Sequence, residues 1–412
     1  MIDNSFNESK VWISVTHTTN TQSNTGIQRV VRNLSRELQE ICNVEFIRWN
    51  KKKHKFYPID PSLKSFRLSE FGGPSASKIN SDWKKQEIKS SCGNVLNFAR
   101  NIGLFKKRSC IELSNFLSKE NNDWLLLPEL MTSSESKNII AYAQDKKLKI
   151  ASIFYDAIPI NHPEWVNDRI RENHSGYMAA LASSNLVIPI SKNSAKDFIS
   201  FCKRFHLKLP QVSPCSLAGN PFESRSNSFK NRFHDSQKIL CVGTLEPRKN
   251  HRRLLEAYEK IALEFPNFSL TLVGAPYKGE KFLIQQVQNL ELKYSNFCWK
   301  KSTTDEELKQ LYQQCTFTVF PSLDEGFGLP ILESIAHGKP CITSNFGVMS
   351  ELARDGGCIT CDTRSSVALA DCIYKLLTDK NLLKKLAHEA CSKPVRTWSQ
   401  YASEIMKIMN LK

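Results

Sequence analysis

Two glutamates separated by seven residues, Glu325 and Glu333, stand in the run PSLDEGFGLPILES, with Gly326 and Gly328 between them. Carboxylates accept hydrogen bonds from vicinal hydroxyls, and glycine-flanked amides at a helix start hold an anion. Together these features suit a ligand in which a phosphate joins sugars on both sides. A second charged group, Arg248 and Lys249 in the run GTLEPRKN, lies between an apolar segment and a helical one. Arginine grips a diphosphate as a bidentate fork and lysine as a point charge. Cations at a helix start oppose the helix dipole, so their presence there calls for an anionic partner. Asp156 follows the apolar run 149–155. A carboxylate at a strand end serves either a ligand or a cap, and both uses stay open.

The elements that must position these residues follow from hydrophobic patterning. Residues 316–320 are apolar and β-branched, as in a buried parallel strand. Pro321 and Ser322 stop that strand, and the turn 324–328 sets Glu325 between strand and helix. Pro330 suits the first helical position and Gly338 the end, which places Glu333 in the first turn. Strands are predicted at 11–15, 44–49, 124–128, 149–155, 185–190, 238–242 and 269–273, and helices alternate with them. That alternation implies parallel sheets covered by helices on both faces, with ligands outside the carboxyl ends of the strands. Thr25 and Gln28 form a predicted capping box that puts Gly26 at a helix N-terminus after the first strand. Ser191, and Thr303/Thr304 with Glu306/Glu307, are further caps. Residues 62–122 are rich in Ser, Lys and Asn and read as an insertion with a short helix near 111–117. Pro210, Pro214, Pro221 and the polar run 223–235 mark a linker. The expected domains are therefore 1–215 and 216–392, with a last helix in 393–412.

A chain of 412 residues exceeds one ordinary domain, and its 41% hydrophobic content supports packed cores. No window holds the ~18 apolar residues of a membrane span, and MIDNSFNESK is no secretory leader, so a cytoplasmic location is expected. The thirteen cysteines are expected to stay reduced. The single C-x-x-C, Cys358 and Cys361, lacks the second pair of a zinc site. The formal charge of +16 favours anionic partners. The basic run 48–55, with Trp49, reads as a solvated loop or as an attachment to an anionic membrane leaflet. No recognition motif supports nucleic acid as a partner. The first strand is not followed by G-x-G-x-x-G, which argues against a dinucleotide oxidoreductase. A non-catalytic basic protein that binds nucleic acid or membrane would explain the charge, but not the two glutamates or Arg248 and Lys249.

The stretch from Glu325 to Glu333, with EGFG, Pro330 and Gly338-Lys339-Pro340, resembles the E-x7-E signature of retaining glycosyltransferases of family 4, which have the GT-B fold. GTLEPRKN is similar to the donor-phosphate loop of that family, its mannosyltransferases especially. Lys249 matches the family lysine, and Thr244 stands where relatives often carry arginine. TGIQRVVRNL resembles the first loop and helix of a subset of these enzymes. FYDAIP with His162-Pro163-Glu164 resembles a loop that often reads His-Asp, with Tyr155 in the histidine position and Asp156 matching.

The resemblance implies an α/β architecture of two facing Rossmann-like domains (GT-B) with a central cleft. The C-terminal helix would cross back onto the first, acceptor-side domain, and the second domain would bind the nucleotide sugar. It also implies a retaining, metal-independent hexosyl transfer without a cofactor, and the chain contains no Asp-x-Asp. Glu325 and Asp156 are the implied catalytic positions. The implied donor-binding residues are Gly26, Thr244, Arg248, Lys249, Ser322, Gly326, Phe327, Gly328, Leu329 and Glu333. Among these, Glu325 would hold sugar hydroxyls, the amides of 326–329 would meet sugar and phosphate, and Glu333 would grip the ribose. The leading donor is GDP-mannose, with a UDP- or dTDP-sugar as the alternative. The expected acceptor is a saccharide, foremost a lipid-linked bacterial surface polysaccharide, met at the inner face of the membrane.

Overall fold

A computed structural model describes residues 9–21, 26–59, 112–117, 122–219, 237–265 and 268–411. Thr25, most of the 62–122 insertion and the linker run 223–235 lie outside the described residues. The chain forms two compact units, Met1–Met131 with Glu135–Ala151, and Thr132–Ser134 with Ser152–Lys412.

The first unit contains β1 (Val11–Ser14), α1 (Gly26–Ile41), β2 (Val44–Asn50), β3 (Lys55–Pro58), β4 (Trp124–Leu127), most of α2 (Ser133–Asp145) and the start of β5 (Lys149–Phe154). β1 pairs in parallel with β2 on one side and β4 on the other, and β3 closes the edge antiparallel to β2. Every residue of β1 and β4 is buried, which suits VWIS and WLLL, runs with no polar alternation. Asp123, just before β4, accepts from the Lys10 amide and the Trp12 indole at 3.1 Å each. After β4, Glu129 accepts from the amides of His17 and Thr18 and so fixes the loop that follows β1. Where the sequence predicts a helix near 111–117, the structure has a short 3₁₀ turn, Leu113–Phe116.

The second unit takes the rest of β5, then α3 (Ile158–Asn161), α4 (Asp168–Leu181), β6 (Leu186–Pro189), α5 (Lys192–Arg204) and β7 (Gln211–Val212). It continues with β8 (Lys238–Val242), α6 (His251–Ala262), β9 (Ser269–Val273), α7 (Lys281–Lys293), β10 (Phe297–Lys300) and α8 (Asp305–Gln314). Then come β11 (Phe317–Phe320), α9 (Leu329–Ala336), β12 (Cys341–Ser344), α10 (Gly347–Ala353), β13 (Cys358–Cys361), α11 (Ser366–Thr378), α12 (Lys380–Ser392) and α13 (Trp398–Ile408). The strands from β8 onward form one parallel sheet in the order β10-β9-β8-β11-β12-β13. The chain winds outward from β8 through β9 to β10 and then returns to β11 on the other side. The carboxyl ends of β8 and β11 therefore flank a topological switch point, where an open α/β sheet leaves a crevice.

Leu254, Leu255 and Tyr258 of α6 and Leu369, Ile373 and Leu376 of α11 pack with Leu270, Leu272 and Phe317 of the strands in one core. Two of the predicted caps lie among the described residues and form: Ser191 Oγ accepts from the Ser194 amide, and of the threonine and glutamate pairs it is Thr304 with Glu307 that makes a capping box. After α12, Arg396 donates to the Ser216 carbonyl at 2.6 Å, and Trp398, Tyr401 and Ile405 of α13 are buried. No helix among the described residues is long and apolar enough to cross a membrane.

The start of α9 differs from expectation. Leu329 is its first residue and Pro330 its second, so Glu333 is the fifth and belongs to the second turn. The shift arises because Gly328, at φ +117°, is the N-cap, a conformation L side chains avoid. Gly338 follows the helix at φ +66°, as expected.

Candidate functional site

In the second unit, loops from the carboxyl ends of β5, β6, β8 and β11 meet. After β8, Pro247–Lys249 makes one 3₁₀ turn rather than the start of α6. Arg248 and Lys249 therefore precede the long helix. Asn250, at φ 57°, separates the two elements, and asparagine tolerates this left-handed conformation. Its side chain donates to the carbonyls of Pro321 at 3.1 Å and Thr363 at 2.8 Å, which ties the cationic loop to the segment after β11. The Leu323 amide adds a bond of 2.7 Å to the Arg248 carbonyl.

This junction brings Glu325 between the two cations. Arg248 Nη1 bonds Oε2, and Lys249 Nζ lies 2.5 Å from Oε1. Arg248 also reaches Glu246 at 2.8 Å, and the Lys249 ammonium sits over the Phe320 ring. Burial works against the Glu325 charge, but Lys249 and Arg248 outweigh it and hold the carboxyl below its ordinary range. Burial likewise opposes the Arg248 charge, and Glu325 and Glu246 outweigh it. Burial pulls the Lys249 ammonium below the usual lysine range. The neighbouring His251 is fully buried and burial depresses it to about 3, so it adds no charge.

The backbone beside Glu325 is held from the opposite side. The Gly326 carbonyl accepts from Ser191 Oγ at 3.0 Å and lies 3.1 Å from Ser194 Oγ, which is also 2.7 Å from the Tyr155 carbonyl. A Cβ on Gly326 would sit 2.6 Å from the Tyr155 carbonyl oxygen, so only glycine fits here. In a trans peptide the N–H opposes the C=O, so holding the Gly326 carbonyl turns the Phe327 amide away from the serines. Among the described residues, the amides of Gly326, Phe327, Gly328 and Leu329 have no hydrogen-bond partner. They open the N-terminus of α9, where an anion is favoured.

Asp156 is beside this loop. Its Oδ1 accepts from the Ile158 amide at 3.1 Å, a capping role, while its Oδ2 faces Gly326. Ser322 is fully buried. Its carbonyl accepts from Ser344 Oγ at 2.6 Å. Its hydroxyl is near enough to help hold the Glu325 carboxyl down, without a hydrogen bond of normal geometry. Thr244 shares the loop of Arg248, and among the described residues its side chain makes no hydrogen bond. Glu333 is only 2% exposed and accepts from the buried Tyr312 hydroxyl at 2.8 Å. Glu351 of α10 commits both oxygens to the amides of Lys192 and Asn193 at the start of α5. Gly26 belongs to the first unit, as the exposed first residue of α1.

Sequence reasoning missed several members. Asp324 and Asp197 carried no spacing signal. Asn250 and Glu246 lay within GTLEPRKN, but only the fold shows what they bind. His162 and Glu164 were visible as a string, with nothing to show that the imidazole reaches Asp324 at 3.2 Å. Ser194 was recognised only as part of a cap.

Residues 223–393 match the family described as glycosyl transferases group 1. The chain is 27% identical over 305 residues to the O-antigen chain mannosyltransferase B of Escherichia coli, covering 72% of this chain and 77% of that protein. It is 25% identical over 247 residues to the serotype-specific mannosyltransferase WbdA of Escherichia coli, covering 56% of this chain and 29% of WbdA. The chain thus spans under a third of the length of that relative. Among solved structures, Anabaena Alr3699/HepE in complex with UDP and glucose aligns at TM-score 0.63 and 16% identity, over 98% of this chain and 100% of the other. Sucrose-phosphate synthase of Thermosynechococcus elongatus aligns at 0.63 and 15%, over 98% of each chain. Likeness at such identities establishes the fold, the α/β arrangement of two parallel-sheet domains seen in GT-B glycosyltransferases. Arg248, Lys249 and the loop from Glu325 to Leu329 accordingly lie within the segment, residues 223–393, that matches the glycosyl transferases group 1 family.

Proposed function

We propose that the chain is a hexosyltransferase that moves mannose from GDP-mannose to a saccharide acceptor. The observation that carries this reading is the buried Glu325 carboxylate held between Arg248 and Lys249, beside the unpartnered amides that open α9. An incoming diphosphate takes the place of that carboxylate on the two cations. Glu325, released from them, accepts hydrogen bonds from the donor sugar. As the bond from sugar to phosphate breaks, negative charge grows on the diphosphate, and Arg248, Lys249 and the helix amides are already aimed at it. Those cations supply the charge that a metal would otherwise provide, which supports a metal-independent reaction. In a retaining course, the leaving phosphate oxygen takes the proton of the attacking acceptor hydroxyl, and Asp156 holds the adjacent loop. Glu333 contributes to the nucleoside side, with its carboxylate oriented by Tyr312.

The two mannosyltransferase relatives support mannose as the sugar and a lipid-linked bacterial surface polysaccharide as the acceptor. The formal charge of +16 and the exposed Lys51–Lys53 turn support peripheral attachment to an anionic cytoplasmic leaflet. A UDP-sugar is the second reading for the donor, favoured by the UDP-bound HepE neighbour.

The test is nucleotide release from a panel of GDP-, UDP- and dTDP-sugars, with and without a chelator. GDP release from GDP-mannose, unchanged by chelator, is expected. Release from UDP-sugars alone overturns the donor assignment. Loss of activity with chelator overturns the metal-free step. No release from any donor, with salt-sensitive binding to plain RNA, favours a non-catalytic protein.

A further inference from the structure

The loop that carries Glu325 is also gripped by a histidine for which the transfer reaction above has no task. His162 follows α3, and its Nε2 lies 3.2 Å from Asp324 Oδ2. Its Nδ1 lies 3.0 Å from Glu164 Oε1, and its ring stacks on Trp165 at 3.9 Å and 12°. The stacking fixes the ring plane, and the two carboxylates fix its rotation. Asp324 Oδ1 in turn accepts from the Glu325 amide at 2.8 Å. One carboxylate therefore links the imidazole to the backbone of the residue that faces the two cations.

Acidic groups crowd this pair. Glu164 comes from the histidine's own segment, Asp197 from α5 and Asp156 from the loop after β5. With a carboxylate at each nitrogen, the ring has an acceptor for its N–H in either tautomer. Without His162, Asp324 would keep the acidic neighbours Asp156 and Asp197, which push its carboxyl up.

We propose that His162 and Asp324 are a positioning pair that sets the Glu325 backbone against Arg248 and Lys249. The pair makes donor turnover dependent on the charge of Asp324. This inference deepens the donor-site reading and rests on it. Burial raises the Asp324 carboxyl to about 6, His162 opposes the rise, and Asp197 and Asp156 add to it. Protonating Asp324 removes the attraction that holds the loop. Removing His162 lets the carboxyl rise further, so the loop loses its anchor at a higher pH.

The experiment compares wild type with His162→Gln, Asp324→Asn and the double variant by two readouts. The first is melting temperature across pH 5 to 8 without substrate, read as a double-mutant cycle. His162→Gln is expected to lower it in the wild-type background and to change it little in Asp324→Asn. Additive effects would mean that the pair is not coupled and would overturn the proposal. The second is the pH profile of kcat/KM for nucleotide release from the best donor. His162→Gln is expected to reduce it by about tenfold to a hundredfold near neutrality and to move the acidic limb to higher pH. In Asp324→Asn that limb should disappear. A folded His162→Gln with an unmoved limb would assign the pair a purely structural role and overturn the proposal. If wild type releases no nucleotide from any donor, the transferase reading fails, while the thermal cycle still decides whether the pair exists.

Discussion

Glu325 pairs with two partly buried cations in the free protein, which ties its role in binding to its role in stability. Glu325→Gln leaves Arg248 and Lys249 without their shared partner, and breaking a buried pair costs on the order of 3 kcal/mol. Nucleotide release should fall by roughly 10²–10³, the loss typical of one electrostatic contact to developing charge. Added GDP should then raise the melting temperature of the variant more than that of wild type, because the diphosphate supplies the missing charge. Equal gains in both proteins would show that the diphosphate binds elsewhere. Asp324 behaves differently. Its folded value, about 6, lies above the ~3.9 of an unfolded aspartate. The folded state therefore holds a proton that the unfolded chain has lost in that window, and native stability declines as pH rises across it. Asp324→Asn should melt higher than wild type at pH 8, and the difference should close towards pH 4. A difference independent of pH would contradict the raised carboxyl.

At the scale of elements, the site depends on loops that helices and strands hold still. Ser191 caps α5 through the Ser194 amide and also clasps the Gly326 carbonyl. Ser191→Ala should cost about 1–2 kcal/mol, as lost N-caps do, and should raise KM for the donor more than it lowers kcat. Chemical denaturation and steady-state kinetics on the same preparation separate these effects. Gly326→Ala drives a methyl against a backbone oxygen that has no rotamer to yield. The loop must shift, and turnover should drop by about a hundredfold or more. An active Gly326→Ala would place the sugar outside this loop. The same elements show how far sequence reading reaches. Gly338 was legible as the end of α9, and the backbone there does turn left-handed. Glu333 was misplaced by one residue because Leu329, rather than Pro330, opens the helix.

At the scale of the molecule, 57 basic residues against 41 acidic ones make the chain adhesive to anionic surfaces. If the charge serves a membrane, binding to anionic vesicles should be clear at about 0.1 M salt and lost at about 1 M, where the Debye length shrinks to ~3 Å. Vesicles of neutral lipid should not bind at either salt. Salt-independent binding would mean that apolar contact, rather than charge, drives attachment.

The sequence by itself determined the parallel strands, the helix caps and the identity of the charged loops. These are local matters, decided within a few residues by patterning, by glycine and proline, and by hydroxyl caps. It brought Arg248, Lys249 and Glu325 into one hypothesis because motif and chemistry agreed. It could not determine that the three are paired with one another in the free protein, since the 77 positions from Arg248 to Glu325 are closed by tertiary contacts, the β8–β11 pairing and the bonds of Asn250 and Leu323. Nor could it show that Ser191, Ser194 and His162, from segments outside that sheet, hold the loop of Glu325. Those contacts join residues up to 162 positions apart, as His162 and Asp324 are, and burial, with Asp197 and Asp156 nearby, raises the Asp324 carboxyl to about 6.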